Sequence, residues 1–326
     1  LRVEAPGALN LNFGFVRFAL PQSAALELRT GEGELLVRPF TAADNEDHGE
    51  LWTPVVAREE LELTLSVEEE EREAVQLTLG VINRGFREVR FAAGYRKIGN
   101  NRTEGNCHID VVCDAVQSGA GLVIEAYRDQ IRAGGAITLG GVDNCSGVAV
   151  NNTRNDGKPL FLTADHCGVR TGNAASMVVY WNFENSTCRE PGTAGNRGSG
   201  DGPLSEFNTG AVFRASHAPA DATLVELDDP IDPNHDVFRA GWSRVGTPGM
   251  SVTVHHPNSS EKRISFDFDA AQSTGDSSSV VDPDGTHWRV VDWDLGSTEG
   301  GSSGSPLFDE NGRLVGLLTG GFASCG

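Results

Sequence analysis

All six cysteines of this chain fall between residues 107 and 325: Cys107, Cys113, Cys145, Cys167, Cys188 and Cys325. An even number confined to one region predicts three disulfides and an oxidising compartment. No two have the Cys-x-x-Cys spacing of a zinc or redox site, and spacing alone leaves the pairing open. The first 106 residues carry none, so the cysteines divide the chain into two stretches. A length of 326 residues points the same way, being long for one core: two domains, or one domain with an appendage, are expected.

The two stretches have different patterning. Residues 1–94 alternate, as in Leu9-Asn10-Leu11-Asn12-Phe13, Leu61-Glu62-Leu63-Thr64-Leu65 and Val75-Gln76-Leu77-Thr78-Leu79. Period two broken by turn residues predicts antiparallel strands with one wet face, hence a small β-sandwich. The Glu68–Glu71 run reads as a solvated turn, and with His48 its only histidine this stretch offers no catalytic constellation. Residues 95–106 are polar and basic with two glycines, the composition of a linker open to proteolysis. From Cys107 on, Ala136–Val150, Leu160–Ala164, Met177–Phe183, Ala222–Leu227, Met250–His255 and Leu314–Leu318 read as strands between Gly-, Asn-, Asp- and Ser-rich turns. Gly121–Arg132 fits a helix or the start of a strand. Many short strands without intervening helices predict an all-β barrel or sandwich.

A formal net charge of -20 argues against nucleic acid as a partner, because phosphate binding needs concentrated Lys and Arg. No apolar run approaches the roughly 20 residues that span a bilayer, so no membrane partner is expected. The chain starts at Leu1 without a methionine, which reads as a removed signal peptide or a fragment.

The chemistry is concentrated at Gly300-Gly301-Ser302-Ser303-Gly304-Ser305-Pro306. Glycines on both sides of a serine allow a strained turn that presents one hydroxyl and aims backbone N–H groups at one point. With Ser303 as nucleophile, the N–H groups of Gly301 and Ser303 fall on one side of the turn as an oxyanion hole, each such donor contributing about 3 kcal/mol to transition-state stabilisation. Ser277–Ser279 lack the following Gly and Pro. A hydroxyl needs a base, and the base an orienting anion. His166 ends the apolar run Leu160–Ala164 and adjoins Cys167; Cys145, on the preceding strand, is the expected partner of Cys167, closing a loop worth about 3 kcal/mol. Asp221 opens the strand Ala222–Leu227, whose apolar residues would bury it beside the histidine, whereas Asp165 points away from its neighbour. The order His, Asp, Ser is that of the chymotrypsin arrangement and differs from those of subtilisins and α/β-hydrolases. Asp282-Pro283-Asp284-Gly285 reads as a turn and not a calcium loop, since no Glu lies at the twelfth position. No metal site and no cofactor are expected.

Residues 107–325 resemble the bacterial lysyl endopeptidases, a branch of the chymotrypsin-like serine proteases. The resemblance rests on Cys107-His108-Ile109-Asp110-Val111-Val112-Cys113, Val178-Val179-Tyr180-Trp181-Asn182-Phe183, Asn185-Ser186-Thr187-Cys188, and His255-His256-Pro257-Asn258 with Glu261-Lys262-Arg263-Ile264-Ser265. It implies a chymotrypsin-like double β-barrel, disulfides Cys107–Cys325, Cys113–Cys188 and Cys145–Cys167, and catalytic roles for His166, Asp221 and Ser303. It further implies a secreted, monomeric endopeptidase that hydrolyses protein and peptide substrates through an acyl-enzyme after Lys, with Arg as the other option. Residues 1–94 resemble the β-rich propeptides of such enzymes, most clearly in Gly49–Val56, which makes Lys97 the favoured processing site and Arg102 the next. The competing readings are an accessory adhesion module for residues 1–94 and, for the whole, a catalytically weak or inactive binding protein on a protease scaffold.

Three departures stand out. Asp165 puts a carboxylate where the family has a small or neutral residue, and Thr319 stands where the best-known members have a histidine. The chain also stops at Gly326, before the expected pocket acid, a further barrel strand and a C-terminal helix, so it reads as truncated. Ser302 occupies the place where many chymotrypsin relatives carry the aspartate that pairs with a freed N-terminus. Removal of the first 97 or 102 residues is therefore expected to unblock the cleft and not to order the oxyanion hole.

Overall fold

The computed structural model describes residues 1–85, 105–119, 121, 124–197, 200–275, 280–323 and 325. Lys97, Arg102 and Ser277–Ser279 lie outside these. The fold is all-β: among the described residues the one α-helix is the six-residue Arg128–Ala133, at the end of the ambiguous Gly121–Arg132 stretch.

Residues 1–85 form two sheets. One orders Arg2–Glu4, Glu60–Ser66, Ala25–Arg29 and Phe40–Thr41; the other orders Leu51–Trp52, Asn10–Ala19 and Gln76–Gly85. Phe13, Phe15, Phe18, Leu26, Leu28, Phe40 and Leu61 fill the space between them. The glutamate run lies in the exposed turn Glu69–Ala74.

A seven-stranded antiparallel sheet follows, in the order Phe207–Thr209, Met177–Tyr180, Gly134–Leu139, Asp143–Val150, Leu160–Thr163, Ala222–Leu227 and Ala211–His217. Its two outer strands are consecutive in the chain, separated only by Gly210, so the sheet closes on itself as a barrel. Phe161, Trp181, Val179, Val225 and Ile137 fill the interior. The expected single strand Ala136–Val150 is instead the arms of a hairpin, because Gly140 and Gly141 adopt φ of 58° and 74° and reverse the chain. A second, five-stranded sheet orders Leu314–Leu317, Pro306–Phe308, Ser251–His255, Arg263–Asp267 and Ile109–Asp110 over a core of Val252, Val254, Ile264, Phe266 and Phe308.

All four residues of Met177–Tyr180 are buried, because both faces of that strand are covered. Met177 and Val179 point into the barrel, while Val178 and Tyr180, with Phe207, complete the core of the N-terminal sheets. A strand covered on both faces loses its polar alternation. Polar contacts reinforce the junction: Val55 N–H donates to Tyr180 Oη at 2.9 Å, Asn83 Nδ2 to the Gly140 carbonyl at 2.6 Å, and His48 Nε2 meets Asp228 Oδ2 at 2.8 Å. Burial pushes the Tyr180 phenol up to about 12, which keeps it a neutral hydrogen-bonding group.

Three disulfides are present, Cys107–Cys325, Cys113–Cys188 and Cys145–Cys167, with Cα separations of 5.5, 4.6 and 6.3 Å. All six cysteines are therefore used.

Candidate active site

The apolar strand Leu160–Thr163 ends at Ala164, and a three-residue 3-10 turn, Asp165–Cys167, carries His166 out of the sheet. Gly168 closes that turn at φ 81°, a conformation that glycine takes without strain. The disulfide from Cys167 to Cys145 fixes the turn to the neighbouring strand. His166 keeps 43% of its side chain exposed.

Asp221 sits at φ 45°, between the turn Ala218–Ala220 and the strand Ala222–Leu227, and is buried. The left-handed conformation is one that Asp tolerates better than most residues. It turns the carboxylate onto His166 twice. Oδ2 lies 2.6 Å from Nδ1, and Oδ1 accepts the His166 main-chain N–H at 2.8 Å. An ionised carboxylate only accepts, so the ring proton sits on Nδ1 and Nε2 is left with its lone pair. Asp165 takes no part: its carboxylate accepts from Thr223 Oγ1 and pairs with Arg170, both at 3.1 Å.

The Gly300–Ser305 turn is pressed against the same strand end. The Ser303 carbonyl accepts Ser146 N–H at 2.7 Å, and Cys167 Sγ lies 3.9 Å from it. Gly304, at φ 79°, has no room for a side chain: a Cβ there would lie 2.4 Å from both the Ser146 carbonyl and Thr163 Oγ1. Gly301 is equally confined, at φ 91° with a Cβ position 2.9 Å from the His256 carbonyl. Its own carbonyl accepts Ser146 Oγ–H at 3.0 Å. Among the described residues, neither Gly301 N–H nor Ser303 N–H has a hydrogen-bond acceptor. The structure thus brings His166, Asp221 and the Ser303 turn together, with two backbone donors unspent.

Behind the turn lies a set of buried and half-buried polar and charged groups, of which Glu299 has no counterpart in the sequence motifs. Ser302 is fully buried, its hydroxyl 2.8 Å from His255 Nδ1. Glu299 accepts Gly105 N–H on Oε1 at 3.0 Å and Asn258 Nδ2–H on Oε2 at 2.7 Å. Lys262, Arg263 and Glu261 are buried ions: Lys262 meets Glu184 at 3.1 Å, Arg189 meets Glu261 at 3.0 Å, and Arg263 pairs with Asp110. Lys and Arg enter a core only when paired, and each of these has its carboxylate partner. Thr319, on the short run after Leu314–Leu317, is partly buried. The Asp282–Gly285 segment is a turn, closed by Gly285 N–H to the Asp282 carbonyl at 2.9 Å. Cys107, His108 and Cys325 cluster together, but both sulfurs are spent in a disulfide and offer no thiolate to a metal.

The family described as lysyl endopeptidase, C-terminal domain, matches residues 101–326. A curated lysyl endopeptidase of Pseudomonas aeruginosa is 30% identical over 254 residues, covering 74% of this chain. The chain spans about half the length of that relative, 50%. Among solved structures, the MamO protease domain from Magnetospirillum magneticum overlaps 60% of this chain and 88% of its own at 14% identity and a TM-score of 0.37. Deg5 overlaps 62% and 87% at 10% identity and a TM-score of 0.38.

Proposed function

We propose, for a chain that belongs to the lysyl endopeptidase C-terminal-domain family, that it is a secreted serine endopeptidase working through an acyl-enzyme. Ser303 is the nucleophile. His166 Nε2 takes its proton as Oγ attacks the scissile carbonyl and later delivers it to the leaving amine. Asp221 holds the Nδ1–H tautomer and stabilises the imidazolium that forms. The N–H groups of Gly301 and Ser303 receive the oxyanion, and a water then repeats the sequence to release the acid.

The observation that carries this reading is the double hold of Asp221 on His166, through Nδ1 and through the main chain. A structural histidine needs one anchor; this one has two, and 43% of its side chain stays exposed. The three disulfides support an oxidising, extracytoplasmic location. Cleavage after Lys rests on family membership. Protein and peptide substrates, a monomeric state, and division into a propeptide-like residues 1–94, a processing segment 95–106 with Lys97 and Arg102, and a protease unit from 107 belong to the same proposal.

The test is Ser303→Ala. Loss of both peptide turnover and fluorophosphonate labelling is expected. Labelling that persists in that variant overturns the assignment of the nucleophile.

A further inference from the structure

A directional chain of hydrogen bonds runs behind the Gly301–Ser303 turn. Ser265 Oγ donates to the Ser297 carbonyl at 2.9 Å, so toward His255 it can only accept. His255 Nε2, 3.2 Å away, therefore carries the ring proton. Nδ1 is left to accept from the Ser302 hydroxyl at 2.8 Å, and the Ser302 oxygen accepts Glu299 N–H at 3.2 Å. Each donor has an acceptor, and the tautomer is imposed. Burial, with His108, His256 and Arg263 nearby, holds His255 well below the usual histidine range, so it serves as a neutral spacer.

Glu299 anchors the other end. Its main-chain carbonyl accepts Ser302 N–H at 3.0 Å, closing the turn. Its carboxylate reaches two distant segments: the chain arriving at Gly105, and the loop at Asn258, whose own N–H donates to the Gly300 carbonyl. His108 Nε2, fully buried, lies 3.6 Å from the same carboxylate. Burial raises the Glu299 carboxyl, but the His108 ring and the main chain at Gly105 and Cys325 outweigh it and hold the carboxyl below the usual glutamate range. Gly301 and Ser303, whose amides have no acceptor among the described residues, lie between these two holds.

We propose that Glu299 is the positioning residue of this turn, aiming the Gly301 and Ser303 amides through its simultaneous grip on Gly105 and Asn258. The proposal rests on the protease reading above. It changes the meaning of the region around Cys107: the chain that leaves residues 86–104 acts on the oxyanion turn from behind, with a carboxylate at 299 in place of one at 302. His166 keeps 43% of its side chain exposed with the N-terminal sheets present, so the base itself is not what they cover.

The experiment compares Glu299→Ala and Asn258→Gly with the parent and with Ser303→Ala. Asn258 sits at φ 50°, so glycine preserves its backbone while removing the Nδ2 contact. Steady-state kinetics are measured on a fluorogenic lysyl peptide. Affinities are measured for a lysyl peptide aldehyde, whose adduct places an oxygen anion in the hole, and for the product peptide acid. A misaimed turn is expected to lower kcat at least about tenfold in both variants with KM within about twofold. Aldehyde affinity falls in parallel and product affinity stays unchanged. A kcat within about twofold of the parent in either folded variant, or an equal loss of aldehyde and product affinity, overturns the proposal. If Glu299→Ala does not fold, Asn258→Gly alone decides. A parent that neither turns over nor labels overturns the protease reading itself, whereas an active parent, a dead Ser303→Ala and normal variants overturn only the role of Glu299.

Discussion

One carboxylate, that of Asp221, holds His166 by the ring and by the backbone at once, with Oδ2 2.6 Å from Nδ1 and Oδ1 2.8 Å from the main-chain nitrogen. The ring contact sets which nitrogen faces the cleft; the backbone contact sets where the ring is. An amide at 221 keeps the second and corrupts the first, because a side-chain NH2 toward Nδ1 favours the tautomer with the proton on Nε2. Asp221→Asn is therefore expected to lower kcat by about three to four orders of magnitude at neutral pH with little change in melting temperature. Activity assays and calorimetry on the same sample check this, and a loss of both kcat and stability would show Asp221 to be chiefly structural.

Gly304 offers a contrasting case. Its φ of 79° and the 2.4 Å approach of two oxygens to any Cβ mean that Gly304→Ala must displace the turn from Thr163 and Ser146. Backbone strain of this kind costs of order 1–3 kcal/mol before the clash is counted. Expected are a lower melting temperature together with loss of turnover, read by differential scanning fluorimetry and peptide hydrolysis. Unchanged stability would mean that the turn is not held where it is seen.

Acid sensitivity follows from His255 and His256. Desolvation lowers both, opposed at His256 by its bond to the Ser260 carbonyl and reinforced by Lys262, so that His256 falls to about 3. The unfolded value is about 6.5. Between those limits the unfolded chain binds more protons, so stability declines as pH falls below about 6.5, by about 1.4 kcal/mol per pH unit for each histidine. Denaturant unfolding between pH 7 and 5 should show this slope, and His256→Gln should remove about half of it. An unchanged slope in that variant refutes the assignment.

The junction with residues 1–85 responds in the opposite sense. The hydrogen bond to Asp228 raises the pKa of His48 against its partial burial, with Asp228, Glu46 and Glu50 adding to the effect. A raised histidine contributes fully below its unfolded value of about 6.5, and the contribution is lost as pH climbs through the raised value. Glu46 and Asp229, both raised by burial, push the same way, since each ionises at increasing cost as pH rises. In a Ser303→Ala background, the melting-temperature difference between the parent and His48→Ala should be largest near pH 6 and shrink by pH 9. A difference independent of pH would contradict this.

Much of this was legible in the residues because it was local. Ala222–Leu227 alternates and is a strand, Leu160–Thr163 is an apolar run that stops at the histidine turn, and the glycines around Ser303 announce a turn that tolerates no side chain. The Gly140-Gly141 reversal is less legible, because Ala136–Leu139 before it and Val148–Val150 after it both read as strand. Glu299 carried no local signal at all. It is one carboxylate among many in an acidic chain, and its partners lie 41 and 194 residues away. Contacts of that range belong to tertiary structure, and the same is true of the buried triplet Glu261-Lys262-Arg263, whose charges make sense only beside Asp110, Glu184 and Arg189.

The strand Met177–Tyr180 serves two cores, with Val178 facing the N-terminal sheets and Val179 the barrel. Two adjacent positions are thereby independent gauges. A spectroscopic label at 178 registers departure of residues 1–85 while the barrel stays shut, and a label at 179 registers the barrel opening. The order in which the two signals change tells whether the N-terminal sheets leave an intact barrel behind or unravel together with it.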